Sequence, residues 1–237
     1  MRPTDQIAKE GCAAGEPARA VIVLTGFGPF PGVPDNATAE LVPRLAKAAR
    51  DLFPDYDIVA EILPTEWVAA PQKLGDLLAR PGTVLALHFG VSRQAEGFQI
   101  ELVGRNQCKA MADAAGNMPA VECLLDEGPA ELSCTVPAER IVQRLTQLGV
   151  PARTSTDAGG FLCNALLYHS LAAADTLEKP HLVGFVHLPV DLVGHGADGQ
   201  WPRPGCRLDM RSAMAGGLEI IAACLESLGP TPAVKPG

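Results

Sequence analysis

Charge and aromatic side chains are both scarce in this sequence. Of 237 residues, 19% are charged and 5% aromatic, whereas 47% are hydrophobic. Nineteen Lys and Arg against 27 Asp and Glu leave a net charge of −8. This shortage of positive charge argues against nucleic acid or an anionic membrane as partner, because both are held by basic clusters. No apolar run approaches the roughly 20 residues that a membrane-spanning helix needs. The N-terminal stretch MRPTDQIAKEGCAAGEPARA carries charges where a secretory leader needs an apolar segment, so a cytoplasmic protein is expected. High apolar content with little charge excludes a mostly disordered chain, and the length suits one large domain or two small ones.

Paired cysteines are missing too. Seven cysteines stand at positions 12, 108, 123, 134, 163, 206 and 224, with no CxxC among them. This suggests neither a zinc knuckle nor a redox dithiol. Thiols in odd number fit a reducing compartment, and most are expected to be buried as small hydrophobes, with one or two reactive. HExxH, GxSxG, the dinucleotide fingerprint and the P-loop are also absent. TGFGPF holds Gly26 and Gly28 at the wrong spacing, and its prolines remove N–H donors that a phosphate would use. His187, Asp191 and His195 form an HxxxDxxxH run that could in principle bind a metal, but in a Gly/Pro-rich loop this is a weak signal.

What is present is an alternation of strands and helices. Near-continuous apolar runs predict strands over 20–25 and 83–88, and 57–63, 98–103, 154–156 and 181–188 read as further strands. Helical spacing predicts helices over 38–52, 64–79, 137–148, from about 157–160 to 173, and 207–228. Asn36 or Thr38 is placed to cap the first helix, with Pro43 in about its first turn. Residues 104–131 read as irregular, with a hairpin or a long loop. Such alternation implies one α/β domain over 20–228, with a largely parallel sheet and helices on both faces. Residues 1–19 and 229–237 are expected to be flexible tails. Sites in such sheets form where strands end and helices begin.

Three residues at those junctions are candidates for chemistry. Cys163 follows an Asp/Gly turn, in or near the first turns of a helix whose dipole and free N–H groups favour a thiolate and an oxyanion. The plainer alternative is a buried Cys on a helix face. His187 closes an apolar strand 24 residues later, and adjacent parallel strands would set it facing Cys163 as base and acid. The alternative is a hydrogen-bonded strand-end histidine, as also for His88. His169, His181 and His195 read as helix-face or loop residues. Glu101 is a carboxylate among apolar strand residues and would orient the imidazole, or else it faces solvent.

Four blocks in order resemble the pyroglutamyl peptidase I family of cysteine peptidases, over roughly Val21 to Leu228. They are Thr25-Gly26-Phe27-Gly28-Pro29-Phe30 with Asn36-Ala37-Thr38; Leu63-Pro64-Thr65; Phe89-Gly90-Val91 through Glu101 to Asn106 and Gly116-Asn117; and Asp157-Ala158-Gly159 with Cys163-Asn164 and Gly184-Phe185-Val186-His187-Leu188-Pro189. The resemblance implies a triad of Cys163 as nucleophile, His187 as base and acid, and Glu101 as orienting carboxylate. It implies removal of an N-terminal pyroglutamyl residue from peptides through an acyl-enzyme, without metal or cofactor. The implied fold is a three-layer α/β/α sandwich around a twisted, largely parallel mixed sheet, of phosphorylase/hydrolase-like kind. It implies a lactam pocket at Phe27, Phe30 and Phe161, with Val91 and Thr65 also on the substrate side. An apolar pocket would exclude a charged free glutamyl amine.

The sequence also departs from the family's pattern. Val91 stands where many bacterial members have Gln, and Leu102 where they have Arg. A further family Arg near the oxyanion is missing, with Lys109 the nearest cation, and residues 190–204 match poorly. Two other readings stay open: a triad hydrolase of another small lactam or amide, and a non-catalytic binding relative. Family members include tetramers and single chains, so homo-oligomer formation is likewise open.

Overall fold

The computed structural model describes residues 19–176, 181–190, 192 and 208–229. In chain order its elements are β1 (Ala20–Phe27), α1 (Ala37–Leu52), β2 (Tyr56–Leu63), α2 (Ala69–Leu78), β3 (Thr83–Ser92), β4 (Phe98–Glu101) and β5 (Val103–Arg105). They continue as β6 (Glu131–Ser133), α3 (Ala138–Gln147), β7 (Ala152–Ser155), α4 (Leu162–Asp175), β8 (Leu182–Pro189) and α5 (Met210–Leu228). Six strands form one sheet in the order β2-β1-β3-β8-β4-β7, while β5 and β6 pair separately. Every neighbouring pair of the large sheet is parallel except β4 with β8. Among the described residues, no helix is long and apolar enough to cross a membrane. Both expected tails lie outside the described residues, apart from Arg19 and Gly229 at their inner ends.

Successive side chains on a strand point to opposite faces, and that alternation builds two cores. Ile22, Leu24, Leu85, Leu87, Phe89, Ile100, Val186 and Leu188 meet α1, α3 and α5 on one side. Val21, Val23, Ala86, Val183 and Phe185 meet α2 and α4 on the other. On β3, β4 and β8 this second face carries His88 and Gly90, Gln99 and Glu101, and Phe185 and His187. Polar chemistry is therefore concentrated under α4.

The element boundaries differ from the sequence expectation at a few places, for local reasons. Asn36 caps α1 by accepting the Thr38 N–H at 3.1 Å. Pro43 stands in the second turn rather than the first, on the exposed side, where a missing N–H costs least. The helix expected over 64–79 begins only at Ala69. Its first residues are drawn off by the Thr65 hydroxyl donating to the Gly28 carbonyl and the Trp67 N–H donating to Asp113. The strand expected over 98–103 divides at Leu102, whose N–H still reaches Ser155 while its carbonyl accepts from Cys134. There the chain leaves the large sheet for the small one. Residues 106–130 are irregular between β5 and β6. The last helix starts at Met210, behind Asp209, whose carboxylate accepts the Ser212 N–H.

Candidate active site

The turn before α4 is built to deliver a side chain. The Ser155 hydroxyl accepts the Asp157 N–H at 3.2 Å, and the Asp157 carboxylate accepts the Gly159 N–H at 3.0 Å. Gly159 then takes φ +81°, a left-handed conformation that glycine adopts without steric cost. Phe161 becomes the N-cap and Cys163 enters the first turn, where no side chain caps the helix. Its N-terminal N–H groups and the positive end of its dipole are therefore free for an anion. Asn164, the next residue, donates to the carbonyls of Arg105 and Gln107 and accepts the Arg105 N–H, at 2.8 to 2.9 Å. It ties the chain leaving β5 to α4. Lys109 continues that contact, its N–H donating to the Gly160 carbonyl at 2.7 Å.

His187 and Gly90 are register partners on β8 and β3. A Cβ built on Gly90 would lie 3.0 Å from Cys163 Sγ and 2.8 Å from the Phe185 ring. Glycine thus keeps open the gap through which the sulfur comes down to the sheet beside the imidazole. Gly90→Ala is expected to displace Cys163 and lower its rate of alkylation by at least about tenfold, because neither Phe185 nor the helix start can yield freely in a packed core. The rate of iodoacetamide labelling of Cys163, against that of exposed Cys123, checks this.

Glu101 Oε1 sits 2.7 Å from His187 Nδ1, with the carboxylate fully buried and the imidazole 5% exposed. Burial alone pulls the His187 pKa down. The negative charge and hydrogen bond of Cys163, followed by the hydrogen bond and charge of Glu101, outweigh it and raise the value from 6.5 to about 10. The imidazole lies between a sulfur and a carboxylate, and both favour its protonated form. Phe185 covers it, ring centroids 4.9 Å apart.

One part of the sequence expectation is corrected. Cys163 and His187 do not meet across adjacent parallel strands. β4 separates β7, which leads into α4, from β8, and it runs antiparallel to β8. That inserted strand carries Glu101 to the histidine, a long-range pairing that local periodicity does not encode.

The expected pocket residues fall into different places. Phe30 and Phe161 are half-buried neighbours, ring centroids 6.1 Å apart. Trp67, missed in the sequence, stands edge-on to Phe161 at 5.1 Å, and its indole N–H donates to the Met111 carbonyl at 2.8 Å. Phe27 is buried below them, tilted against Phe185 at 6.4 Å. Thr65 is buried and uses its hydroxyl on the Gly28 carbonyl, so it holds the turn that carries Phe30. Val91 is not brought into this cluster, because its side chain packs against the core on the opposite face. Asp113 braces the rim by accepting the N–H groups of Trp67, Ala115 and Asn117. The signal for Trp67 was its position just after the Leu63-Pro64-Thr65 block, which nothing in helical periodicity singles out.

The remaining histidines and thiols play other parts. His88 is fully buried between the hydroxyls of Thr25 and Ser170, each at 2.8 Å, and burial lowers its pKa to about 3, so it is neutral. Burial also lowers the values of His169 and His181. The expectation that most cysteines are buried is corrected. Of the five described, only Cys224 is buried, while Cys108, Cys134 and Cys163 are half-buried and Cys123 is exposed. Cys12 and Cys206 lie outside the described residues, as do Asp191, His195 and nearly all of the segment 190–204. Among the described residues, no group of three His, Cys, Asp or Glu side chains is arranged to hold a metal.

Comparison with known proteins adds to this geometry. The sequence profile of the family described as pyroglutamyl peptidase matches residues 20–202. A pyrrolidone-carboxylate peptidase of Bacillus cereus is 32% identical over 172 residues, covering 71% of this chain and 77% of that protein. One from Pyrococcus furiosus is 29% identical over 183 residues, covering 74% and 86%. The crystal structure of Bacillus amyloliquefaciens pyroglutamyl peptidase I superposes with a TM-score of 0.75 at 27% identity, covering 88% of this chain and 98% of the other.

Proposed function

This chain belongs to the pyroglutamyl peptidase family and is a cysteine-type peptidase that removes N-terminal pyroglutamate from peptides, and we propose that Cys163, His187 and Glu101 carry out that reaction. The observation that carries the assignment is the placing of the His187 imidazole between the Cys163 sulfur and the Glu101 carboxylate, 2.7 Å from the latter.

The chemistry follows from that arrangement. The Cys163 thiolate attacks the pyroglutamyl carbonyl carbon, and the charge displaced onto oxygen is met by the free N–H groups at the start of α4. His187 passes its Nε2 proton to the leaving amine as the C–N bond breaks, which leaves a thioester on Cys163 and a neutral imidazole. The imidazole then takes a proton from water while the water oxygen attacks the thioester. Pyroglutamate leaves, and the thiolate and imidazolium are restored. The Glu101 carboxylate holds the ring with Nδ1 toward itself, so that Nε2 faces the reacting atoms.

The lactam ring is proposed to lie against Phe30, Phe161 and Trp67. A flat neutral ring suits apolar aromatic walls, whereas a charged free amine would have to shed water there without a partner. Trp67→Ala, which removes the edge contact on Phe161, is expected to raise KM about tenfold with a smaller change in kcat. Steady-state kinetics on a pyroglutamyl amide read this directly. The function itself is tested by comparing that amide with its prolyl analogue, which lacks the lactam carbonyl. Hydrolysis of the pyroglutamyl amide alone is the expected result, and equal hydrolysis of both would contradict lactam recognition.

A further inference from the structure

We propose that Gln99 and Arg153 form a positioning arm that aims the Glu101 carboxylate at His187, an inference that rests on the reading of Cys163, His187 and Glu101 as the reacting set. Gln99 and Glu101 are two residues apart on β4 and therefore share the face under α4. Gln99 is buried, 4% exposed, and its Nε2 donates to Glu101 Oε1 at 2.8 Å, the same oxygen that faces His187. Its Oε1 accepts from Arg153 Nη2 at 2.7 Å. The strand register sets this up, because Gln99 is the partner of His187 on β8 and of Arg153 on β7. Three strands thus bring a cation, an amide and an imidazole into one row.

The chemistry of the three groups gives the arm a direction. A guanidinium only donates, so it must meet the amide oxygen, and the amide nitrogen is thereby turned to the carboxylate. Glu101 favours the amide nitrogen from one side and Arg153 favours the amide oxygen from the other, since a reversed amide would set oxygen against oxygen at Glu101 and N–H against N–H at Arg153. The carboxylate needs such a hold, since its other oxygen, Oε2, is buried with no hydrogen-bond partner among the described residues. With one oxygen unsupported, the grip of Gln99 on Oε1 keeps the group from turning away from the imidazole. The titratable and charged groups around His187 are Cys163 from α4, Glu101 from β4, Cys134 just after β6, whose thiol feels the Glu101 charge, and Arg153 from β7 through Gln99. Neither Gln99 nor Arg153 is placed to touch substrate, so both are positioning residues.

The test compares wild type with Gln99→Leu, Arg153→Met and Arg153→Lys. In Gln99→Leu, kcat is expected to fall about tenfold with KM unchanged, and the alkaline limb of the kcat profile should move down by about one pH unit. Arg153→Met should move both quantities in the same direction by less, and Arg153→Lys, which keeps a donor for the amide oxygen, should restore them. The titration of His187 is also followed by nitrogen NMR of the labelled imidazole, which needs no substrate. A shift of that titration in Gln99→Leu supports the arm even if the wild type fails to cut a pyroglutamyl amide, a result that would count against the proposed reaction alone. An unchanged kcat and an unchanged His187 titration in folded Gln99→Leu, or a loss of melting temperature with the titration unmoved, would overturn it.

Discussion

Cys163→Ala is expected to lower kcat/KM for a pyroglutamyl amide by at least about 10⁴-fold, the loss typical when a single nucleophile of a triad is removed. The reason lies in how the sulfur is placed. It enters the gap left by Gly90, beside the Phe185 ring, and lies in the first turn of α4. Serine should not replace it, because an alcohol stays protonated at neutral pH and leaves the His187 cation without its anion. The fold should survive, since Cys163 is half-buried and alanine keeps its Cβ. Kinetics with a thermal melt check both halves: activity should vanish while the melting temperature moves by no more than a few degrees. A variant that keeps turnover would remove Cys163 from the mechanism.

Glu101→Gln carries the second large effect. The carboxylate is fully buried and holds His187 Nδ1, so its loss frees the ring to take the wrong tautomer or orientation. A fall in kcat of about 10³ to 10⁴ is expected, with KM nearly unchanged. The pH profile gives an independent sign. His187 must carry a proton to release the leaving amine, and its pKa is raised to about 10, so activity should persist through neutral pH and decline as pH rises toward that value. Glu101 supplies two of the influences that raise it. Removing the negative charge lets the proton leave more readily, and the alkaline limb should move to lower pH. A limb that stays in place would mean that Glu101 does not act on His187.

Much of this was legible in the chain because it is local. Apolar periodicity and turn chemistry mark β1, β3, β8 and α3 within a few residues, and the Asp/Gly turn marks the start of α4. Cys163, His187 and Glu101 each fall at a strand end, a helix start or an odd polar position in an apolar strand. What stayed hidden is pairing. That β4 inserts between β8, to which it runs antiparallel, and β7, to which it runs parallel, depends on contacts far apart in sequence, and with it goes the partnership of Glu101 and His187. Gln99 and Arg153 were passed over for the same reason. A Gln on an alternating strand and an exposed Arg look ordinary until the register sets them side by side. Val91 shows the reverse limit, since the residue next to Gly90 points to the other face however close it lies in the chain.

The most direct test of the account is to stop turnover of a pyroglutamyl amide in acid and map which residue carries the acyl group. A pyroglutamyl thioester on Cys163 alone, absent from Cys163→Ala, is the predicted result. Sustained hydrolysis with no acylated cysteine, or with the acyl group on another of the seven cysteines, would contradict the assignment of Cys163 as the nucleophile.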